Sequence, residues 1–220
     1  MKSVLIFSGG LDSTTLLYKL KNENHDVHAI TFLYGQKHSK ELESAKKITA
    51  NLDTIHKIID VSSLQSLLNS ALTNPNISIP NVSAGAQFYE TLKTTVVPNR
   101  NAIFLSIASG FAQSIHANNV FFAAHYSDRG MYPDCREEFI DSFQKMTRLS
   151  LNNPEMNISS PFAKLKKSEV VKIGNSLGVP FELTWSCYDG NQKHCGKCSA
   201  CRERKNAFYE VGITDPTQYL

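Results

Sequence analysis

The sequence predicts an α/β fold, a parallel sheet with helices on both faces, followed by a cysteine-rich C-terminal segment. Three observations carry this. The apolar run Val4-Leu5-Ile6-Phe7 empties into a glycine turn, Ser8-Gly9-Gly10-Leu11-Asp12-Ser13, with a helical pattern directly after it. Apolar runs and amphipathic stretches then alternate, which is the order of strand–helix–strand units with right-handed crossovers. Cys187, Cys195, Cys198 and Cys201 cluster near the end.

Taken in order, residues 2–7 form a strand apolar at nearly every position, as in a strand covered on both faces. Leu16, Leu17 and Leu20 place an apolar face on the helix that follows. Residues 28–33 (HAITFL) form a second strand, 40–51 a helix with a charged face, and 54–61 a third strand. Residues 62–71 read as a helix capped by Ser62 or Ser63. Residues 74–87 are rich in Pro, Asn, Ser and Gly; such a length without periodicity suits a mobile loop or lid. Residues 103–115 form a buried helix and 119–124 (NVFFAA) a late strand. Residues 166–177 form a helix stopped by Gly178 and Pro180. From Trp185 the chain is irregular. Ligands bind such sheets at the carboxyl ends of the strands, so the loops at 8–13, 34–38 and 125–136 are expected to converge on one cleft.

At 220 residues the chain fits one domain with a small appendage, divided as a catalytic domain, 1–183, and a C-terminal segment, 184–220, packed on it. The net charge of +3 is too slight to indicate a stable nucleic-acid partner. No apolar run is long enough to span a membrane, and no signal peptide precedes the first strand. Four of five cysteines are clustered, which points to metal rather than disulfides and to a reduced, cytoplasmic protein.

The glycine turn is an anion cradle. Gly9 and Gly10 allow close backbone approach, and the helix N-terminus presents free N–H groups and a positive dipole end to a phosphate. Ser8, Ser13, Thr14 and Thr15 add hydroxyls, and Asp12 suits Mg²⁺. The Walker pattern fails because no Lys follows the second glycine, and the dinucleotide fingerprint fails for want of a third. A ligand-free strand–helix turn is the plain alternative.

Cys187-x7-Cys195-x2-Cys198-x2-Cys201 offers four thiolates, with Gly196 allowing the tight turn of a knuckle. Four thiolates make a closed structural Zn²⁺ site. An iron–sulfur cluster is the alternative, disfavoured by a fourth ligand lying upstream. His194, beside Cys195, is a substitute ligand that four cysteines make unnecessary. Cys135 reads as a free buried thiol near the substrate side. His38, His56 and His125 read first as surface or core residues, with His38 and His125 favoured for function by their loops. Lys164, Lys166 and Lys167 read as a solvated basic face, with phosphate contacts as the alternative.

The turn resembles the pyrophosphate-binding loop of the PP-loop ATP pyrophosphatases, which cleave ATP between the α and β phosphates and adenylate a substrate oxygen. Further blocks extend the likeness over nearly the whole chain: Tyr34-Gly35-Gln36-Lys37-His38 with Glu41; Val97-Pro98-Asn99-Arg100-Asn101; Tyr132-Pro133-Asp134-Cys135-Arg136 with Glu138-Phe139; Thr184-Trp185-Ser186-Cys187-Tyr188; Cys195-Gly196-Lys197-Cys198; and Asp215-Pro216. Together they resemble the 7-cyano-7-deazaguanine synthase family.

That resemblance implies a Rossmann-like fold of the adenine nucleotide alpha hydrolase type. It also implies ATP-dependent conversion of 7-carboxy-7-deazaguanine and ammonia to the nitrile precursor of queuosine, through an adenylated acid and then an adenylated amide. ATP, Mg²⁺ and Zn²⁺ would take part, in a homodimer. Phe7, Ser8, Gly9, Gly10, Leu11, Asp12, Ser13, Thr14, Thr15, Leu16 and Leu17 would hold the nucleotide, with Asp12, Ser13 and Arg100 catalytic. Gln36, His38, Asn101, Asp134 and Arg136 would face the substrate, with Asn101 equally suited to capping its helix. Cys187, Cys195, Cys198 and Cys201 would hold the metal. Lys37 stands where an arginine is common, and Arg129 and Met131 carry nothing over. Two other functions fit parts of the pattern: a PP-loop tRNA-modifying enzyme, and a non-enzymatic zinc module that binds nucleic acid.

Overall fold

The computed structural model describes residues 1–35, 40–68, 70–73, 94–189 and 192–220. The suggested lid at 74–87, and Gln36 and His38, lie outside the described residues.

Five strands form one parallel sheet in the order β3-β2-β1-β4-β5. They are β1 (Lys2–Ile6), β2 (Asp26–Leu33), β3 (Ile55–Asp60), β4 (Asn119–Phe121) and β5 (Asn157–Ser159). Helices connect them: α1 (Leu11–Asn22), α2 (Lys40–Asn51), α3 (Arg100–Ser114), α4 (Glu137–Ser150), α5 (Lys167–Ser176) and α6 (Ser199–Glu210). Central β1 shows why the run was apolar throughout. Leu5 and Phe7 belong to a core shared with Leu16, Leu17, Val170 and Phe208 from α1, α5 and α6. Val4, on the other face, packs with Leu105, Ala108, Ile140 and Phe143 from α3 and α4. Alternate residues of one strand thus feed two cores.

Several boundaries differ from expectation. The helix expected at 62–71 is a short 3₁₀ turn, Ser62–Ser66, with no buried residue. Its serines and a preceding aspartate spend their hydrogen bonds locally: Asp60 Oδ1 accepts from Ser62 N at 2.8 Å and Ser66 Oγ donates to Ser63 O at 3.2 Å. Such bonds compete with helix propagation. Residues 70–73 instead meet Thr94, with Ala71 N donating to its carbonyl at 2.7 Å. β4 ends at Phe121 rather than at residue 124, because Ala124 N turns to Ser160 Oγ at 3.0 Å. α3 starts at Arg100, three residues early, because Asp134 Oδ2 accepts from Asn101 N at 2.9 Å.

α4, β5 and α6 were not anticipated. α4 carried a readable signal, since Ile140, Phe143 and Thr147 are buried at helical spacing. β5 is three residues long, too short for any periodicity to show.

Candidate active site

The strand order reverses between β1 and β4, where open α/β sheets place their ligands. A cleft of about 290 Å³ opens there. The three expected loops converge on it: Ser8 and Asp12 after β1, Tyr34 after β2, and His125 and Tyr132 after β4.

The glycine turn at its base is locked from within and from outside. Gly10 N donates to Ser8 Oγ at 3.2 Å, the Ser8 and Ser13 hydroxyls are 3.0 Å apart, and Ser13 Oγ donates to Gly10 O at 3.2 Å. Gly9 has φ +80°, and a Cβ there would lie 2.6 Å from both the Ala45 nitrogen and the Glu41 carbonyl oxygen. Glycine alone lets α2 rest on this turn. The C-terminal segment reaches back to it, with Trp185 N donating to Gly9 O at 3.1 Å.

One end of the cleft is charged. Lys167, the first residue of α5, places Nζ 3.1 Å from Asp12 Oδ2 and 3.1 Å from Glu203 Oε2. His125 Nε2 lies 3.6 Å from Asp128 Oδ2 and 3.9 Å from Asp12 Oδ2. Burial raises the Asp12 pKa, but the charges of Lys167 and His125 outweigh it and leave the group below the usual carboxylate range. Burial likewise works against the charge on Lys167, yet Asp12, Glu203 and Asp128 hold it well above the usual lysine value. For Asp128 burial prevails over the nearby His125, and the pKa is raised. Asp12 Oδ1 is buried without a hydrogen-bond partner.

The other end is aromatic. Arg100 sits between two rings, its guanidinium carbon 6.0 Å from the Tyr34 centroid and 5.8 Å from that of Tyr132. Phe104 packs 5.4 Å from Tyr34. Glu41 lines the cleft beside them. Burial lifts its carboxyl to about 7 despite the opposing charge of Arg100.

Of the nucleotide residues expected from sequence, Phe7, Ser8, Gly10, Leu11, Asp12 and Ser13 line the cleft. Thr14, Thr15, Leu16 and Leu17 do not: all four are fully buried, and the position of Thr15 is set by α5, where a Cβ on Gly174 would meet its hydroxyl at 2.7 Å. The expected hydroxyl donors at Thr14 and Thr15 therefore point into the protein, since helix α1 turns those positions toward α5 and the sheet. Arg100 and Asn101 line the cleft. Asn101 neither caps by its own side chain nor stands alone, since its Nδ2 donates to Asp134 O at 3.3 Å and Cys135 Sγ at 3.2 Å. Asp134 does not line the cleft and spends Oδ2 on the start of α3. Arg136 is exposed and donates from Nε to Arg129 O at 3.0 Å.

Cys135 is buried at the cleft wall, and burial pushes its thiol well up, so it packs there as a thiol. His56 ties β2 to α2 through Thr31 Oγ1 at 2.7 Å and Thr49 Oγ1 at 3.2 Å. Lys167 is the main correction. Its side chain is 11% exposed, because the turn before α5 aims it across the cleft instead of into solvent. Glu203 and Asp128 were also missed, and nothing in their local sequence signals the convergence.

The four cysteine sulfurs lie within 4.8 Å of one another and all four residues are buried. Hydrogen bonds from Cys187 and Cys201 hold the Cys198 thiol well below its usual range. His194 is committed elsewhere, its Nε2 accepting from Ser186 N at 3.1 Å and its ring packed 4.2 Å from that of Trp185.

Residues 2–212 match the family model described as "Queuosine biosynthesis protein QueC". The chain belongs to the QueC family. This QueC-family chain is 47% identical over 219 residues to a protein of Caldicellulosiruptor saccharolyticus named 7-cyano-7-deazaguanine synthase, covering 100% of the chain and 96% of the relative. It is 46% identical over 219 residues to a protein of the same name from Methanoregula boonei, covering 100% and 99%. Among solved structures, a predicted subunit of tRNA methyltransferase from Methanocaldococcus jannaschii aligns over 100% of the chain and 92% of its own, with TM-score 0.51 and 16% identity. That likeness shows a shared fold alone. Among the described residues, no helix is long and apolar enough to cross a membrane.

Proposed function

We propose that this chain makes 7-cyano-7-deazaguanine from 7-carboxy-7-deazaguanine, ammonia and ATP, as a step of queuosine precursor synthesis. The observation that carries the proposal is 47% identity along the whole chain to a relative bearing that enzyme's name. The cleft supplies the chemistry such a reaction needs. A carboxylate is a poor electrophile with a worse leaving group, so its oxygen must first be adenylated, and the amide oxygen must be treated likewise before it departs.

The roles follow from the two ends of the cleft. The 8–13 turn and the N-terminus of α1 receive the pyrophosphate portion of ATP, supported by their amides and helix dipole. Lys167 adds a positive charge where charge develops at the α/β cleavage. Asp12, with one buried and unpartnered oxygen, fits a cation such as Mg²⁺, which would neutralise phosphate charge. Ser13 orients the turn through Gly10 O. Arg100 suits the substrate carboxylate, since its planar fork pairs bidentately with one. The rings of Tyr34, Phe104 and Tyr132 suit a flat heterocycle. Asn101, Gln36 and His38 complete the substrate side of this scheme.

The cysteines fit Zn²⁺. Bonds of about 2.3 Å to four thiolates require sulfurs about 3.8 Å apart, compatible with the observed cluster within 4.8 Å. All four positions being protein ligands, the ion would be structural. Residues 184–220 then act as a metal-stapled segment on the 1–183 catalytic domain, a division supported by buried Arg204, which donates to Phe181 O at 2.9 Å and pairs with Asp215 at 3.2 Å. The family resemblance supports a homodimer in the cytoplasm, and the small net charge of +3 supports the absence of a stable nucleic-acid partner.

The test is incubation with ATP, Mg²⁺, ammonium and 7-carboxy-7-deazaguanine, followed by mass spectrometry. Loss of the acid, a transient amide and then the nitrile are expected. No product from folded, zinc-replete protein overturns the proposal.

A further inference from the structure

We infer that Glu41 is the proton acceptor for the nitrogen nucleophile, taking a proton from ammonium at the reacting carbon. The inference rests on the function proposed above. Glu41 stands in the first turn of α2, and its backbone abuts the glycine turn, with the carbonyl oxygen 2.6 Å from where a Gly9 Cβ would be. Its side chain lines the cleft with Arg100 and Tyr34. Arg100, Glu41 and the phosphate turn line one cleft, so a carboxylate held by Arg100 and activated at the turn would react within reach of Glu41. Among the described residues, the carboxylates at the phosphate end already have cationic or hydrogen-bond partners. Asp12 is tied to Lys167, and Asp128 accepts from His125 N at 2.9 Å.

Ammonium is the dominant form at neutral pH and has no lone pair to offer. The step is balanced as follows. A Glu41 carboxylate oxygen takes one proton from ammonium, and the freed lone pair forms a C–N bond to the acyl adenylate carbonyl carbon. The new nitrogen gives a second proton to water. The C–O bond to AMP breaks, and AMP leaves with the electron pair. A base works best when its pKa lies near the operating pH, and burial lifts Glu41 to about 7. Among the described residues, the charge of Arg100 from α3 acts on Glu41, and Tyr34 after β2 lines the same wall. From the glycine turn the ionisable group is Asp12, already neutralised by Lys167.

Two half-reactions separate this role from a structural one. Exchange of labelled pyrophosphate into ATP, dependent on 7-carboxy-7-deazaguanine, reports adenylation; amide formation reports the ammonia step. If the unaltered protein shows no acid-dependent exchange, the proposed function fails, whatever Glu41 does. With exchange present, Glu41→Gln is expected to lower the ratio of amide formation to exchange by about 10²–10⁴-fold. Hydroxylamine, neutral at pH 7, should give hydroxamate with a far smaller loss. A ratio that stays level, whether both rates fall together or neither falls, overturns the inference. The unaltered protein gives an independent reading. Its amide formation at fixed ammonium should rise with pH and level off near pH 7, a break that hydroxamate formation lacks, and matching profiles for the two nucleophiles overturn the inference as well.

Discussion

Lys167 Nζ lies 3.1 Å from Asp12 Oδ2, so the cation that the glycine turn lacks in sequence is delivered to it by a helix that begins more than a hundred residues later. The pair sits at the charged end of the cleft, where Glu203 holds the second face of the ammonium group. Replacing Lys167 by Gln leaves a polar amide and removes the charge. Acid-dependent ATP–pyrophosphate exchange should fall by about 10²–10³-fold, the usual effect of deleting one charge-stabilising donor. An exchange rate unchanged while the thermal midpoint drops would assign Lys167 to stability alone.

Gly9→Ala tests the turn. The new Cβ would meet two backbone atoms at 2.6 Å, and the residue would keep φ +80°. Gly178, at φ +70° with nothing within 4 Å, isolates the conformational part, about 1–2 kcal/mol. Urea titrations should show Gly9→Ala losing clearly more stability than Gly178→Ala, and ATP binding should weaken only in the former. Equal losses would show that α2 yields freely.

The Arg204–Asp215 pair sets an acid limit on stability. Arg204 is fully buried and its Nε is 3.2 Å from Asp215 Oδ1. Burial raises the Asp215 pKa, but Arg204 and the hydrogen bond from Tyr219 outweigh it, and the group lies below its usual 3.8. Its contribution is therefore complete above about pH 3.8 and is lost as pH falls through the lower folded value. Asp215→Ala should cost about 3–5 kcal/mol near neutrality, because it strands a buried guanidinium. It should also flatten the pH dependence below pH 4 in chemical denaturation.

Metal content is checked by elemental analysis, with about one zinc per chain expected and a sulfur-only shell in X-ray absorption. Cys198→Ser, or prolonged chelation, should release the 184–220 segment to proteolysis. Because Trp185 N donates to Gly9 O, ATP affinity measured by calorimetry should fall with it. An iron chromophore in place of zinc would overturn the metal assignment.

Much of this is legible in the sequence. The glycine turn and four clustered cysteines announce themselves by spacing, since their neighbours in space are also neighbours in sequence. α4 is equally legible, with Ile140 and Phe143 at helical spacing. Lys167 and Glu203 were not legible. Each is an ordinary charge on a helix, and only the packing of α5 and α6 beside α1 turns both toward Asp12. Asp134 stands apart for the opposite reason. A carboxylate beside Cys135 invites a ligand, yet the unpaired N–H of Asn101 at the start of α3 claims it.

The bond from Trp185 N to Gly9 O also orders events during synthesis. The glycine turn leaves the ribosome well before its outer support, Trp185, does. At about 5–20 residues per second the interval is on the order of ten seconds or more, during which the turn exists without its brace. Prematurely terminated chains that stop before Trp185 can build the first strands and helices but not the braced turn. Nucleotide affinity is thereby a reporter of whether translation has passed Trp185, and a labelled ATP analogue added to stalled ribosomes would time the moment at which the site closes.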